Sequence, residues 1–379
     1  SRLQVMVDVG LGYLQLGQPA ATLSGGEGDD TIYAYISAET DYIYDPVTGE
    51  DTQITYGGNA EISGGIQTSQ FSNKNPLGPG INTLYSLLVR RNYLKLYEKT
   101  FLRAEYSRYL SPGLWLQGEA EWARRAPLVN HSDFSYFKKD RVFTPNAPLT
   151  STDEPFFQTH EAFVVGLTAR IRIGETYNSY PKFRVYEPSG WPELLLVYRK
   201  AIPGLAGSDI NNDFFQAQLR KNNISWGLAG YSDMNVSAGL FLRNKNTEFI
   251  DFHHPMGNQT IFGKPADYTR GFFLLPYYDY STEKPFVQAH FQHHLQGWLF
   301  DKIPGLRKLN LKEVFGAGVY YTDSTHGEAF FEQKMPYWEV NAGLENIGVG
   351  FFRAFRVDVI AGFFGKEHYK TGIVIGIDL

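Results

Sequence analysis

The chain has 379 residues, 16% of them aromatic with 28 Phe and 25 Tyr, 38 Gly, four Met and no Cys. Without cysteine there is no disulfide framework, thiolate zinc site or cysteine nucleophile, and a net charge of -5 with a pI near 6.0 argues against a nucleic-acid partner, which needs a basic face. No run of 18 apolar residues offers a membrane-crossing helix, but a mean hydropathy of -0.30 leaves barrel strands open, because only alternate residues of such a strand meet lipid.

Ser1 is followed by no basic, apolar leader, so a mature or truncated product is expected. The first strand is expected in LQVMVDVGLGYL; the neighbouring GLGYLQLG lacks both the GxGxxG spacing and a following helix. Residues 18–60 are polar and glycine-rich, and read as one or two long loops or a strand pair outside the membrane. In LWLQGEAEWARR, Leu114, Leu116, Gly118, Ala120 and Trp122 oppose Trp115, Gln117, Glu119 and Glu121, an oily row against a charged one. Arg103 and Glu105 of the preceding strand belong to the inward, polar set. The Pro112-Gly113 turn between these two strands fits a short hairpin. Residues 126–159 carry four prolines and read as a second long loop.

The alternation continues down the chain. HEAFVVGLTARIRIGE sets Phe163, Val165, Leu167, Ala169, Ile171 and Ile173 against Thr168, Arg170 and Arg172. FFQAQLR sets Phe215, Ala217 and Leu219 against Gln216, Gln218 and Arg220. In HFQHHLQGW, His290 and His294 share a row with glutamines, while His293 falls among apolar residues. That spacing cannot bring three imidazoles to one metal, so hydrogen bonding inside a lumen is expected and no metal or cofactor. The basic KIPGLRKLNLKE follows as a turn or partner-facing loop. YWEVNAGLEN and FRVDVIAGFF then place Trp338, Val340, Val357 and Val359 outward and Arg356 and Asp358 inward. The chain ends on YKTGIVIGIDL, whose row Tyr369, Thr371, Ile373, Ile375, Ile377 and Leu379 is apolar to the last residue.

Long alternating strands, small apolar rows ending in aromatics, and an apolar terminus give the expected fold. It is all-β, one domain over residues 1–379, and a closed antiparallel transmembrane β-barrel of about 14 strands, with 12 to 16 as the range. The last strand is expected to close against the first, so that no backbone edge stands in hydrocarbon. Glu119 and Glu121 are expected to pair with inward arginines such as Arg103 or Arg170, not to act as an acid and base; GxSxG and HExxH are absent from the sequence.

Three stretches, FIDFHHPMGNQTIF, LLPYYDYSTEKPFVQAHFQHHLQGWLFDKIPGLRKLNLKEVFGAGVYY and YWEVNAGLENIGVGFFRAFRVDVI, resemble the C-terminal barrel of an outer-membrane family of unassigned function from Bacteroidetes-type bacteria. Members of that family usually carry a carboxypeptidase-regulatory-like domain in front. The resemblance covers residues 249–379 most closely, and its motif maps onto His254, Pro255, Gly257, Asn258, Gln259 and Thr260, then His290, His293, His294, Gly297 and Pro304. It implies no catalytic role for these positions. A non-enzymatic barrel of the bacterial outer membrane is therefore expected, serving transport, export or assembly or anchoring a larger envelope complex. Its partners would be outer-membrane lipid and other envelope proteins, and its lumen would be crowded by inward charge and loops.

Overall fold

Alternate Val, Ile, Tyr and Phe along a run favour a pleated strand whose two faces meet different surroundings, and the alternating runs are strands. The computed structural model describes residues 15–17, 30–37, 40–44, 51–55, 58–150, 152, 154–179, 184–187, 189–263, 268–323, 336–350, 352–365 and 368–377. The strands are β1 (Gln15–Gly17), β2 (Asp30–Ser37), β3 (Thr40–Tyr44), β4 (Asp51–Thr55), β5 (Asn59–Gln70), β6 (Leu96–Ser111), β7 (Leu114–Pro127), β8 (His160–Arg172), β9 (Thr176–Ser179) and β10 (Arg184–Glu187). They continue as β11 (Glu193–Ala201), β12 (Asn211–Ser225), β13 (Tyr231–Asn246), β14 (Phe262–Gly263), β15 (Phe286–His294), β16 (Lys312–Thr322), β17 (Tyr337–Val349), β18 (Phe352–Phe364) and β19 (His368–Ile377). A helix, α1 (Pro79–Val89), lies between β5 and β6, with Pro79 at its first turn, where a missing N–H costs nothing.

One 15-stranded sheet runs β1-β2-β5-β6-β7-β8-β11-β12-β13-β15-β16-β17-β18-β19-β14, and β3 with β4 and β9 with β10 form separate hairpins. From β5 to β13 and again from β15 to β19 each strand is antiparallel to its neighbours, an up-and-down meander. Strands β6 and β13 reach 16 residues each, about three times the ordinary length. At one end lie the connections over residues 71–95, 128–159, 202–210 and 247–285; at the other lie the short turns at 112–113 and 226–230 together with the longer connections over 173–192 and 295–311.

Burial follows the alternation. Asp358 is 0% exposed while its neighbour Val359 is 58% exposed. Along β15, Phe286, Gln288, His290, Gln292 and His294 are buried, while Val287 and Phe291 are exposed. One face of the sheet is thus polar, buried over β15 to β18 and half-buried over β6 to β8, and the other is apolar and bare: Leu102, Leu167, Phe315, Val340 and Ile373 stand on it. Near the end that carries the 247–285 connection, cross-strand register sets Trp338, Phe363 and Tyr369 side by side on the bare face, with Trp338 and Phe363 stacked at 3.9 Å.

Within residues 18–60, β3 and β4 make a separate strand pair, one of the two readings of this stretch, while β2 joins the large sheet by pairing with β5 over eight positions, so that part is strand and not loop. The expected pairing of the last strand with the first falls on residues 3–14, outside the described residues. On the second edge of β19 lies β14, parallel to it, with Phe262 beside Ile375 and Gly263 beside Gly376: a segment between β13 and β15 folds back over the sheet and offers its backbone to that edge, with Ile375 donating to the Ile261 carbonyl at 2.7 Å. The expected first strand over residues 3–14 and the terminal Leu379 lie outside the described residues. The second long loop sits where the proline count put it, between Pro127 and His160.

Candidate functional site

The polar face is covered by this folded-in segment, residues 252–285. Its neck is one β-bridge: His253 and Thr282 exchange backbone hydrogen bonds at 2.9 Å in both directions. Beyond the neck, backbone ties run from Phe272 to the Met256 carbonyl and from Asn258 to the Leu275 carbonyl. The Asn258 side chain accepts from the Thr260 N–H and hydroxyl and donates to the Thr260 carbonyl; its oxygen also accepts from Tyr277 Oη. Gln259 Oε1 accepts the Tyr277 N–H, and His254 Nδ1 shares a 2.7 Å hydrogen bond with Ser281 Oγ. Gly257 leaves no room for a Cβ against the Leu275 carbonyl. A chain with no regular ladder needs such side-chain partners, because buried backbone groups left unpaired are costly.

The sheet holds the segment by charge and by aromatic packing. Glu339 of β17 accepts the N–H groups of Phe273 (2.7 Å) and Leu274 (3.1 Å) and also the Tyr337 hydroxyl (2.6 Å). Asn235 of β13 donates to the Thr269 carbonyl at 2.8 Å, and Tyr320 of β16 donates to the Tyr280 carbonyl at 3.1 Å. Phe272, Leu275 and Tyr280 enter a cluster with Phe214, Phe286, Tyr320 and Tyr337, while Tyr268, Phe273 and Leu274 pack on Ile360 and Val374. Two glycines of the last strand make the fit: Leu274 Cδ2 lies 2.5 Å from where a Cβ of Gly372 would stand, and Tyr268 Oη occupies that place at Gly376.

Arg356 and Asp358 anchor the wall beneath. Arg356 binds both Asp358 oxygens, at 2.7 and 2.9 Å, donates to Gln292 Oε1 at 3.1 Å, and lies 3.8 Å from the Tyr268 ring centre. Asn341 supplies a further donor to Asp358 at 2.8 Å. His294 Nδ1 is 3.1 Å from both Glu345 oxygens, its Nε2 is 3.6 Å from Asp233, and its ring stacks on Tyr231. His293 points the other way on its strand and shares a 2.8 Å hydrogen bond with Ser232.

On the N-terminal half of the sheet the same face carries a second set of charges. Arg103 bridges Glu105 (2.7 Å) and Glu119 (2.5 Å). Glu121 takes Lys99 at 3.0 Å, and Arg170 donates to the Tyr109 hydroxyl and lies 5.1 Å from the Trp115 ring centre, so Arg170 is not the partner of either glutamate. Arg172 joins Glu175 and Glu193, and Arg220 reaches the same Glu193 at 3.2 Å. Gln218 donates to Asn235 at 2.9 Å, and Gln216 stands on the same row of β12, opposite Gly239.

The structure therefore brings Arg356, Asp358, His290 and His294 to the wall behind the folded-in segment and gathers His254, Pro255, Gly257, Asn258, Gln259 and Thr260 within it. Gly297 and Pro304 lie apart, at the opposite end of the sheet, where Gly297 donates to Glu313 at 3.1 Å. Glu339 is the contact that sequence reasoning missed as a site residue. Its place in the inward row was legible, but its partners are backbone N–H groups, which no side-chain pattern announces.

Comparison with known proteins adds the following. Short stretches of the chain resemble the UvrABC system protein A of Halalkalibacterium halodurans, 48% identical over 54 residues, and that of Thermus thermophilus, 52% identical over 54 residues. Each match covers 13% of this chain and 6% of the relative, so the chain spans a small fraction of the proteins it matches there. Among solved structures, Pseudomonas aeruginosa OccK11 (OpdR) is similar over 96% of this chain and 86% of that one, at 9% identity and a TM-score of 0.28, too slight a likeness to carry any argument. A match over residues 34–344 decides the family: the chain belongs to the family of unknown function DUF5686, as its C-terminal domain.

Proposed function

We propose that the large sheet closes into a transmembrane β-barrel of a bacterial outer membrane, and that the chain is a non-enzymatic component of transport, export or assembly in that envelope. One observation carries this reading: the apolar row is bare and the charged row is covered, with Val359 at 58% exposed beside Asp358 at 0%. In water that arrangement is inverted, since exposed apolar patches of this extent invite aggregation. In hydrocarbon it is the stable one, because lipid meets the apolar row and closure of the sheet would pair its backbone groups. Outer-membrane lipid and other envelope proteins are its partners in this reading, and nucleic acid is not.

The folded-in segment sits on the face that would line the lumen, so the resting barrel conducts poorly. That same filling favours a second reading, an accessory subunit that anchors a larger outer-membrane complex. Outer-membrane fractionation and heat-modifiable migration on gels test the barrel. Single-channel recording separates the two readings: a transport component opens when the segment is loosened by Glu339→Ala, whereas an anchor stays sealed. A chain recovered in the soluble fraction with unchanged migration on heating would sink both.

A further inference from the structure

The turn at residues 71–77, the neck of the folded-in segment and the inward rows of β13 and β15 carry buried donors that the protein leaves unmatched. Among the described residues, Lys74 Nζ, Ser237 Oγ and His290 Nε2 are buried without a hydrogen bond, while His253 and Gln288 face each other beside them. Their positions are connected. Ser237 pairs directly with Gln288 across β13 and β15, and Phe286, Gln288 and His290 follow one another on the same inward row. His253 lies flat on Phe286 at 3.4 Å, and Phe272 closes over His290 at 4.4 Å. The Lys74 charge bears on His253, His254 and His290, and the charge of Arg199 on β11 repels that of Lys74.

We propose that this cluster is an oxyanion-binding site, seating a phosphate, sulfate or carboxylate group on Lys74 with His290 and Ser237 as further donors. A buried ammonium with no counter-charge is among the least favourable groups a fold can hold, so a ligand of opposite charge is the natural complement. Asp251, the acid nearest this region, is occupied by Arg125 at 2.9 and 3.0 Å. Ammonium, imidazole and hydroxyl all donate, and the Gln288 amide can turn to donate as well. The inference stands on these residues whether or not the sheet spans a membrane.

Burial and Arg199 pull Lys74 down to about 8, and a bound oxyanion acts in the opposite sense. Sulfate keeps its charge across this range, so its binding strengthens as pH falls from about 9 to 7 and Lys74 gains its proton. Of the other groups facing Lys74, burial keeps His253 and His254 neutral there, Arg199 stays charged, and the Arg125–Asp251 pair is already matched.

The test is thermal unfolding of the full chain in detergent, titrated with sodium sulfate against sodium chloride at equal ionic strength, with sodium acetate as a second arm. A site predicts a saturable rise in Tm with sulfate, larger at pH 7 than at pH 9. The half-saturating concentration should increase roughly tenfold or more in Lys74→Met, stay near the parent in Lys74→Arg, and be unchanged in Lys139→Met at an exposed position. A response to acetate alone identifies a carboxylate site, and a response to sulfate alone a tetrahedral one. Should Lys74→Met not fold, histidine ring NMR signals of the parent give the answer: sulfate moves those of His253 and His290 and leaves the exposed His131 in place. An equal sulfate response in Lys74→Met, no saturable response in the parent, or unmoved histidine signals would overturn the site.

Discussion

Arg356 and Asp358 are the tightest charged pair behind the folded-in segment, at 2% and 0% side-chain exposure. Such a pair is weak evidence for stability as a whole, but removing one partner strands the other. Asp358→Ala should therefore destabilise the chain by about 3 to 5 kcal/mol, because Arg356 keeps its charge and loses two of its hydrogen bonds. Arg356→Met with Asp358→Leu should recover most of that loss. Urea unfolding followed by tryptophan fluorescence in detergent measures both, and a cost under about 1 kcal/mol for the single variant would mean that water reaches the pair. Alternation made both residues legible as inward, and it made His290 and His294 inward while turning His293 away. It could not choose partners: Glu121 takes Lys99 and not an arginine, and Arg170 takes an aromatic bed, because cross-strand register decides which long side chains meet.

The folded-in segment was written in the sequence but not readable by period. Residues 252–285 hold a bridge, a two-residue strand and side-chain ties instead of a repeating ladder, so neither the strand nor the helix test responds. The family motif His254 to Thr260 falls in this segment, and the inward glycines Gly372 and Gly376 stand opposite it on the last strand, each where an aromatic or leucine of the segment needs the volume. Two consequences can be measured. Glu339 holds the segment by accepting two backbone N–H groups, so Glu339→Ala should loosen it by about 2 to 4 kcal/mol, seen as faster hydrogen exchange and protease cutting confined to residues 268–282. Unchanged exchange there would show that aromatic packing alone holds the segment. Acid should loosen it too. Burial holds His253 well below its ordinary value and His254 down at about 3, so the stability these neutral rings contribute is complete above pH 6.5 and lost as pH falls toward 3. Asp279 works the other way, pushed up to about 6 by burial against the pull of Lys370, and it relieves part of that loss between pH 6 and 4. With two histidines against one carboxyl, protease sensitivity of the segment should rise between pH 6.5 and 4. His253→Gln with His254→Gln should flatten that rise, and a rise of the same size in this variant would assign the acid sensitivity elsewhere.

For the whole molecule, the informative fact is which face is dressed. A water-soluble sheet of this size would cover its apolar rows, yet here the segment that could have done so lies on the charged side, pinned by Glu339, Asn235 and Tyr320. The bare face is thus left for another solvent, and Val340→Arg, at 41% exposed between Ala317 and Ala361, should cost roughly 2 to 4 kcal/mol if that solvent is hydrocarbon. Normal insertion and heat resistance of this variant would mean the row is not in lipid. The last strand is the sharper case. Ile373 and Ile375 stand on the bare row and Val374 is fully buried, while β19 pairs with β18 on one edge and with Phe262–Gly263 on the other. Deleting Ile375 to Leu379 would remove the N–H that donates to the Ile261 carbonyl, unpair Phe355 to Val357 on β18, and strip the seat of Tyr268 at Gly376. Each backbone group so exposed to hydrocarbon costs on the order of several kcal/mol, more than a domain of ordinary stability can lose many times over. The deletion should abolish insertion, whereas removing five residues near Pro145 should leave insertion intact only if Asn146, which ties Leu96 and Leu128 together, is spared. Fractionation and heat-modifiable migration decide it: a truncated chain that still inserts would mean that Phe262–Gly263 and β18 suffice to seal the edge, and that the strand order at this seam, not the terminal residues, carries closure.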